Sequence, residues 1–183
     1  YTDFRSENPY AEVNNSIGSF GTIRNTVKFG TGIINRKFSF EGRLSNIQSD
    51  GFVDRASSDL FSYYLSGAYY GKDQSLRLNV FHGQEVTYQS WYGVTFDQMQ
   101  EFGRDYNPAG REKPGEPYEN EVDNYRQDHY QLLYNYKLNK NMDFNVAGHY
   151  TRGLGYYESY KAEREVILND SLEERDAVRR KWL

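Results

Sequence analysis

The stretch LLYNYKLNKNMDFNVAGHY at 132–150 alternates apolar and polar side chains on both sides of a short polar turn. Leu132, Tyr134, Tyr136 and Leu138 fall on one face of an extended chain, and Met142, Phe144, Val146 and Tyr150 fall on one face after the turn. Asn135, Lys137, Asp143, Asn145, His149 and Thr151 occupy the opposite face. A period of two marks strands rather than helices, and two such runs about a tight turn make a hairpin. An oily face of this kind must be buried in a soluble core or set against lipid.

The same period covers most of the chain. It predicts strands over 9–18, 21–32, 37–49, 59–70 and 75–90, then a pair running from about 124 to 152, so about seven strands in all. Ala11 and Val13, Ile23, Val27 and Phe29, Phe38, Phe40 and Leu44, Phe61, Tyr63 and Leu65, and Leu76, Leu78 and Val80 are the apolar sets. The remaining 153–183 are highly charged, with a short helix expected around 172–178.

Two regularities separate the lipid answer from the soluble one. The expected strands run to roughly 10–15 residues, against ~5–6 in ordinary globular sheets. The connections also alternate: those near 33–36, 71–74 and 139–141 are tight, whereas 50–58, 91–123 and 153 onward are long, although the first link, near 19–20, is short. Up-and-down barrels of outer membranes have short turns on one rim and long loops on the other. Tyr63, Tyr69, Tyr130, Tyr136 and Tyr150 stand near strand ends, where an aromatic girdle belongs.

Composition fits this reading. Only 37% of the 183 residues are hydrophobic, yet 17% are aromatic, with 18 Tyr against 2 Met. The mean hydropathy of -0.92 would fit a disordered chain, but disorder goes with few aromatics. Spanning strands need only ~9–11 residues, half of them polar, so the two faces cancel in the mean. There is no apolar run long enough for a membrane-crossing helix, and no Cys for a disulfide or thiolate site. The net charge of -4 and the lack of a basic stripe argue against nucleic acid as a partner. A soluble β-sandwich that leaves its polar face in water remains the alternative at this point.

Several stretches resemble a known family: GSFGTIRNTVKFGTG (18–32), GRLSNIQSDGFVDRASSDLFSYYLSGAYYG (42–71), RLNVFHGQEVTYQSWYGV (77–94) and VRRKWL (178–183). They look like early barrel strands of TonB-dependent outer-membrane receptors, most closely the Bacteroidetes-type receptors for iron complexes. The SDGF-x-DR-x-S-S-D loop and the YQSWYGV strand end carry most of the specificity. The resemblance implies an all-β, antiparallel up-and-down transmembrane β-barrel of about 22 strands with a plugged lumen. On that expectation 1–183 is the N-terminal part of the barrel, with the plug domain, the TonB-box and the later strands absent. The last loop would return into a further strand near 178–183.

The resemblance further implies localisation in the outer membrane of a Gram-negative bacterium. The implied partners are membrane lipid, the TonB–ExbB–ExbD complex acting through plug and TonB-box, and an iron–siderophore or similar ligand. Heme, cobalamin and glycans are the competing cargoes, and a passive porin-like channel is the competing transport mode. Trp91, Tyr92, Tyr106, Tyr118, Tyr156 and Tyr157, with Tyr160, are the candidate cargo contacts of the outer loops, since aromatic walls suit such ligands. The competing reading makes them girdle and loop-packing residues. Arg43, Arg77 and Glu85 point to the lumen by parity and are expected to pair with neighbouring strands or the plug. No enzyme, cofactor or metal site is expected: there is no Ser/His/Asp arrangement or Gly-rich phosphate loop, and His82, His129 and His149 lack ligand spacing. Asp50, Asp54 and Asp59 read as a solvated turn rather than a weak Ca²⁺ loop.

Overall fold

The computed structural model describes residues 6–161 and the backbone of 178–182. It contains a single antiparallel sheet of eight strands in sequence order. These are β1 (Pro9–Ile17), β2 (Ile23–Thr31), β3 (Phe38–Ser49), β4 (Ser58–Tyr70), β5 (Gln74–Tyr88), β6 (Val122–Asn139), β7 (Met142–Ser159) and β8 (Val178–Trp182). One helix, α1 (Phe96–Phe102), interrupts the meander. The short returning strand β8 brings the count to eight rather than seven. The helix expected around 172–178 falls mainly outside the described residues, and Val178 itself opens β8.

The register puts every apolar set on one face. Val13 pairs with Val27, Val27 with Leu44, Leu44 with Tyr63, Leu65 with Val80, Val80 with Tyr130 and Tyr130 with Tyr150. Directly opposed antiparallel residues share a face, so these pairs make a continuous oily band. The girdle tyrosines belong to the same face: Tyr69 pairs with Leu76 and Tyr136 with Phe144.

Exposure decides between the two answers. On the oily face Phe40 is 51% exposed, Leu78 48%, Leu132 49% and Tyr150 63%, whereas Asn79 on the other face is fully buried. Among the described residues each strand packs only on its sequence neighbours, and no second layer covers the band. A soluble sandwich would seal these positions, and among the described residues nothing does. An apolar surface this extensive marks an interaction surface for membrane or protein.

The polar face is held by small side chains bonded across strands. Thr26 and Ser45 hydroxyls lie 3.0 Å apart. Asn79 Oδ1 accepts from Ser66 at 2.8 Å and Tyr64 at 3.2 Å, while its amide donates to Gln131 at 3.2 Å. Arg77 donates to the Tyr70 hydroxyl at 3.0 Å. Among the described residues no buried side-chain nitrogen or oxygen lacks a partner, as buried polar groups require.

β6 and β7 have 18 residues each, or ~60 Å of chain at ~3.4 Å per residue. Only 130–138 and 142–150 carry the unbroken apolar face. Beyond Tyr130 and Tyr150 the same face turns polar, with Asp128 opposite Arg152. The strands therefore continue past the oily band, and the loop expected from 153 onward starts only after Ser159.

Charge on the two faces separates them experimentally. In the intact barrel, Leu132→Arg is expected to cost about 2–4 kcal/mol in bilayer unfolding, while Asn135→Arg on the polar face costs less than about 1 kcal/mol. Urea titration in lipid vesicles, followed by heat-modifiable gel migration, reads the difference.

Candidate functional site

The two long connections at the far rim, 50–57 and 89–121, are folded onto each other by a polar knot. Arg55 sits at its centre in the left-handed backbone region, φ 62°. Its Nε donates to the Tyr88 hydroxyl at 3.1 Å, and Nη2 donates to the carbonyls of Asn107 and Ala109, both at 2.9 Å. Nη1 pairs with Asp54. Asn107, 1% exposed, donates to the carbonyls of Asp54 at 2.9 Å and Gln89 at 3.0 Å and accepts from the Ala109 amide at 3.0 Å. Arg111 adds a bond to Asn107 O at 2.9 Å and one to Asp54 at 3.2 Å.

Two glycines make the knot possible. Gly51 has φ 77°, and a Cβ there would collide with the Ala56 carbonyl. Gly110 has φ 75°, and its Cβ would meet the Tyr88 hydroxyl and lie 2.9 Å from the Tyr118 carbonyl oxygen. Left-handed φ with backbone this close favours glycine. The motif at 49–59 thus specifies a shaped loop. Its aspartates do not converge: Asp54 faces Arg55 and Arg111, and Asp59 faces Asn46 and Gln48.

α1 adds a helix to the long connection expected at 91–123. Thr95 and Gln98 form a reciprocal capping box, a T-x-x-Q signal that is readable in the chain. The helix has no buried residue, and Phe96 and Phe102 are 69% and 51% exposed.

The candidate cargo residues divide into separate groups. Trp91 and Tyr92 are exposed at the start of the long loop. Tyr92 lines a hollow of about 320 Å³ with Pro108, Arg111, Glu112 and Glu121. Tyr106 stacks on Phe102 at 4.7 Å, with the Arg111 guanidinium 4.9 Å from its ring centre. Tyr118 lies against Tyr160 at 5.9 Å and donates to Glu158 at 2.6 Å. That bond, then burial, raises the Tyr118 phenol above its ordinary range. Tyr156 and Tyr157 are in β7, not in a loop. They pair with Asn124 and Asp123 and therefore lie on opposite faces. Ladder pairing with β6 continues to Glu158, which the fading apolar pattern conceals.

Arg43, Arg77 and Glu85 share the polar face by register, with Arg77 nearer the tight-turn end of β5 and apart from the other two. Arg43 and Glu85 line an open hollow of about 560 Å³ with Ile47, Leu60, Phe81 and His129. Sequence spacing alone misses one grouping on this face: His129 and His149, 20 residues apart, are cross-strand neighbours.

Glu121 ties the 89–121 loop to the end of β7. It is 4% exposed, and its carboxylate accepts from the Tyr160 amide at 3.1 Å. Burial pushes its carboxyl above the usual range; the Tyr160 bond and Lys161 oppose this, and Glu112 adds to it.

No family model matches the chain, and no curated protein is similar to it. Among solved structures, the crystal structure of the ferric-catecholate import receptor Fiu from E. coli K12, in its closed form, is similar. The TM-score is 0.68 at 13% identity, over 97% of this chain and 26% of that receptor. This likeness establishes the fold: the sheet matches part of a receptor's barrel wall.

Two outcomes test the rim. Arg55→Lys loses the guanidinium fork, so nicking of 89–121 by limited proteolysis is expected to rise about tenfold, while heat-modifiable barrel migration is unchanged. For Glu121 the raised native pKa means stability present at low pH and lost as pH rises through that value. Proteolysis near residue 160 therefore increases across that rise in the native protein, and Glu121→Gln flattens the profile.

Proposed function

We propose that the chain is a wall segment of a TonB-dependent outer-membrane receptor that takes up an iron–siderophore complex. The observation that carries this is the bare, girdle-edged apolar band on a meander that superposes on an import receptor for ferric catecholates. The segment supplies a lipid side, a wet side and shaped outer loops. Further strands close the barrel, because open sheet edges are not tolerated in lipid. An upstream plug and TonB-box couple it to TonB–ExbB–ExbD and the proton gradient.

Cargo meets the rim first. Tyr92 and the Tyr106–Arg111 pair offer an aromatic surface beside a cation, which suits an anionic aromatic chelate. The polar knot holds Arg111, and Tyr106 beside it, in place before cargo arrives, so less ordering entropy opposes binding. Arg43, Arg77 and Glu85 lie deeper on the wall and face the plug.

The experiment is uptake of labelled ferric catecholate in a deletion strain complemented with the full-length gene. Uptake is expected to need the gene, iron limitation and a proton gradient. Arg111→Ala and Tyr92→Ala are expected to weaken cargo binding by about tenfold each, roughly a 1.4 kcal/mol loss. Undiminished uptake after the gradient is collapsed would refute the coupled reading.

A further inference from the structure

Two imidazoles meet on the polar face where β6 and β7 pair. His129 stands directly opposite Thr151, and His149 opposite Gln131, so the two rings are diagonal neighbours. Their ring centres are 5.6 Å apart with 19° between planes, so with His129 Nδ1 and His149 Nε2 facing each other the rings meet edge to edge, and Phe81 stacks under His129 at 4.5 Å and 17°. His129 Nδ1 and His149 Nε2 are 3.3 Å apart. The Thr151 hydroxyl oxygen is 3.0 Å from the first and 2.9 Å from the second.

These three separations define a small, nearly equilateral triangle. From them, its circumscribed circle has a radius of about 1.8 Å. A cation about 1 Å off its plane would therefore lie ~2.0–2.1 Å from all three atoms, the ordinary metal–imidazole distance. The two nitrogens would subtend about 107° at it, near the tetrahedral angle. Imidazole donors suit copper, nickel and zinc, with copper(II) held most tightly at a given site.

We propose that His129, His149 and Thr151 form a site for a late first-row divalent cation, strongest for Cu²⁺. Metal binding requires His129 to carry its proton on Nε2 and His149 on Nδ1, and each ring to turn from its present aim at the other nitrogen so that its lone pair reaches the metal. Phe81 fixes the His129 ring from one side. Among the described residues no three His, Cys, Asp or Glu side chains converge, so water completes the coordination. His129 also lines the hollow of about 560 Å³, so the open positions face a space that can admit a further donor. The site depends on the β6–β7 pairing alone and not on the cargo assignment.

The test uses the full-length protein folded in detergent and Cu²⁺ as the probe. Titration calorimetry is expected to find one class of sites that His129→Ala and His149→Ala each weaken by at least about tenfold, since loss of a mere supporting contact already costs 10–100-fold. Electron paramagnetic resonance of that class is expected to show two nitrogen donors in the native protein and one in each variant. Thr151→Val weakens binding less and keeps both nitrogens. His129→Asn and His149→Asn substitute where an alanine variant fails to fold. Unchanged affinity and spectrum in the two histidine variants, with heat-modifiable migration intact, would overturn the site and leave a hydrogen-bonded His–Thr–His cluster. Ferric-catecholate uptake is unaffected by that result, so the two readings fail separately.

Discussion

Strict two-sidedness is the constraint on which the rest of the structure depends. In a pleated strand a residue's neighbours point the opposite way, and a single sheet has no spare layer in which to hide a misplaced side chain. One face here carries Phe40, Leu44, Leu65, Leu78, Leu132 and Val146 in register. The other carries Thr26, Ser45, Ser66 and Asn79. The usual arrangement is inverted: the buried side chains are mostly polar and the exposed ones oily. A register slip of one residue would put hydroxyls and amides into hydrocarbon at every position of that strand, so the cross-strand pairs also enforce the alignment.

The inversion explains why regular structure outlasts the oily band. Within the band the apolar pattern fixes the register; above it that pattern ends. There the bonding becomes specific and polar. His82 meets Asp128 at 2.6 Å and stacks on Tyr63 at 5.1 Å. Higher still, Gln89 donates to the carbonyls of Val122 at 3.2 Å and Glu158 at 3.1 Å, stitching three strand ends together. The Arg55–Asn107 knot then extends that rigidity into the connections. The rim thereby holds two of its aromatics, Tyr106 beside the Arg111 guanidinium and Tyr118 on Glu158.

Much of the wall was legible in the sequence because period and lipid select the same residues. The Leu132–Val146 hairpin and the parity of Arg43, Arg77 and Glu85 follow from counting by two. The upper parts of β6 and β7 were not legible. Asn124, Arg126 and Arg152 lie on the oily face's parity but above the oil, so alternation carries no signal there, and Tyr156 and Tyr157 looked like loop residues. α1 was legible and was missed, since Thr95 and Gln98 have capping-box spacing. Asn107 was not, because its partners at Asp54 and Gln89 are remote in sequence.

The His129–His149 pair shows the limit of spacing arguments. Metal motifs on helices repeat at three or four residues because that spacing returns side chains to one face. Across a hairpin the separation depends on the distance from the turn, and any value is open. Thr151 stands opposite His129, with His149 two residues before it, only because the 139–141 turn and the shift between Lys137 and Asn139 set the register. One residue more or less in that turn would send the two rings to opposite faces. The turn thus determines at once which side chains meet lipid and which imidazoles meet each other, and neither property can be altered there without the other.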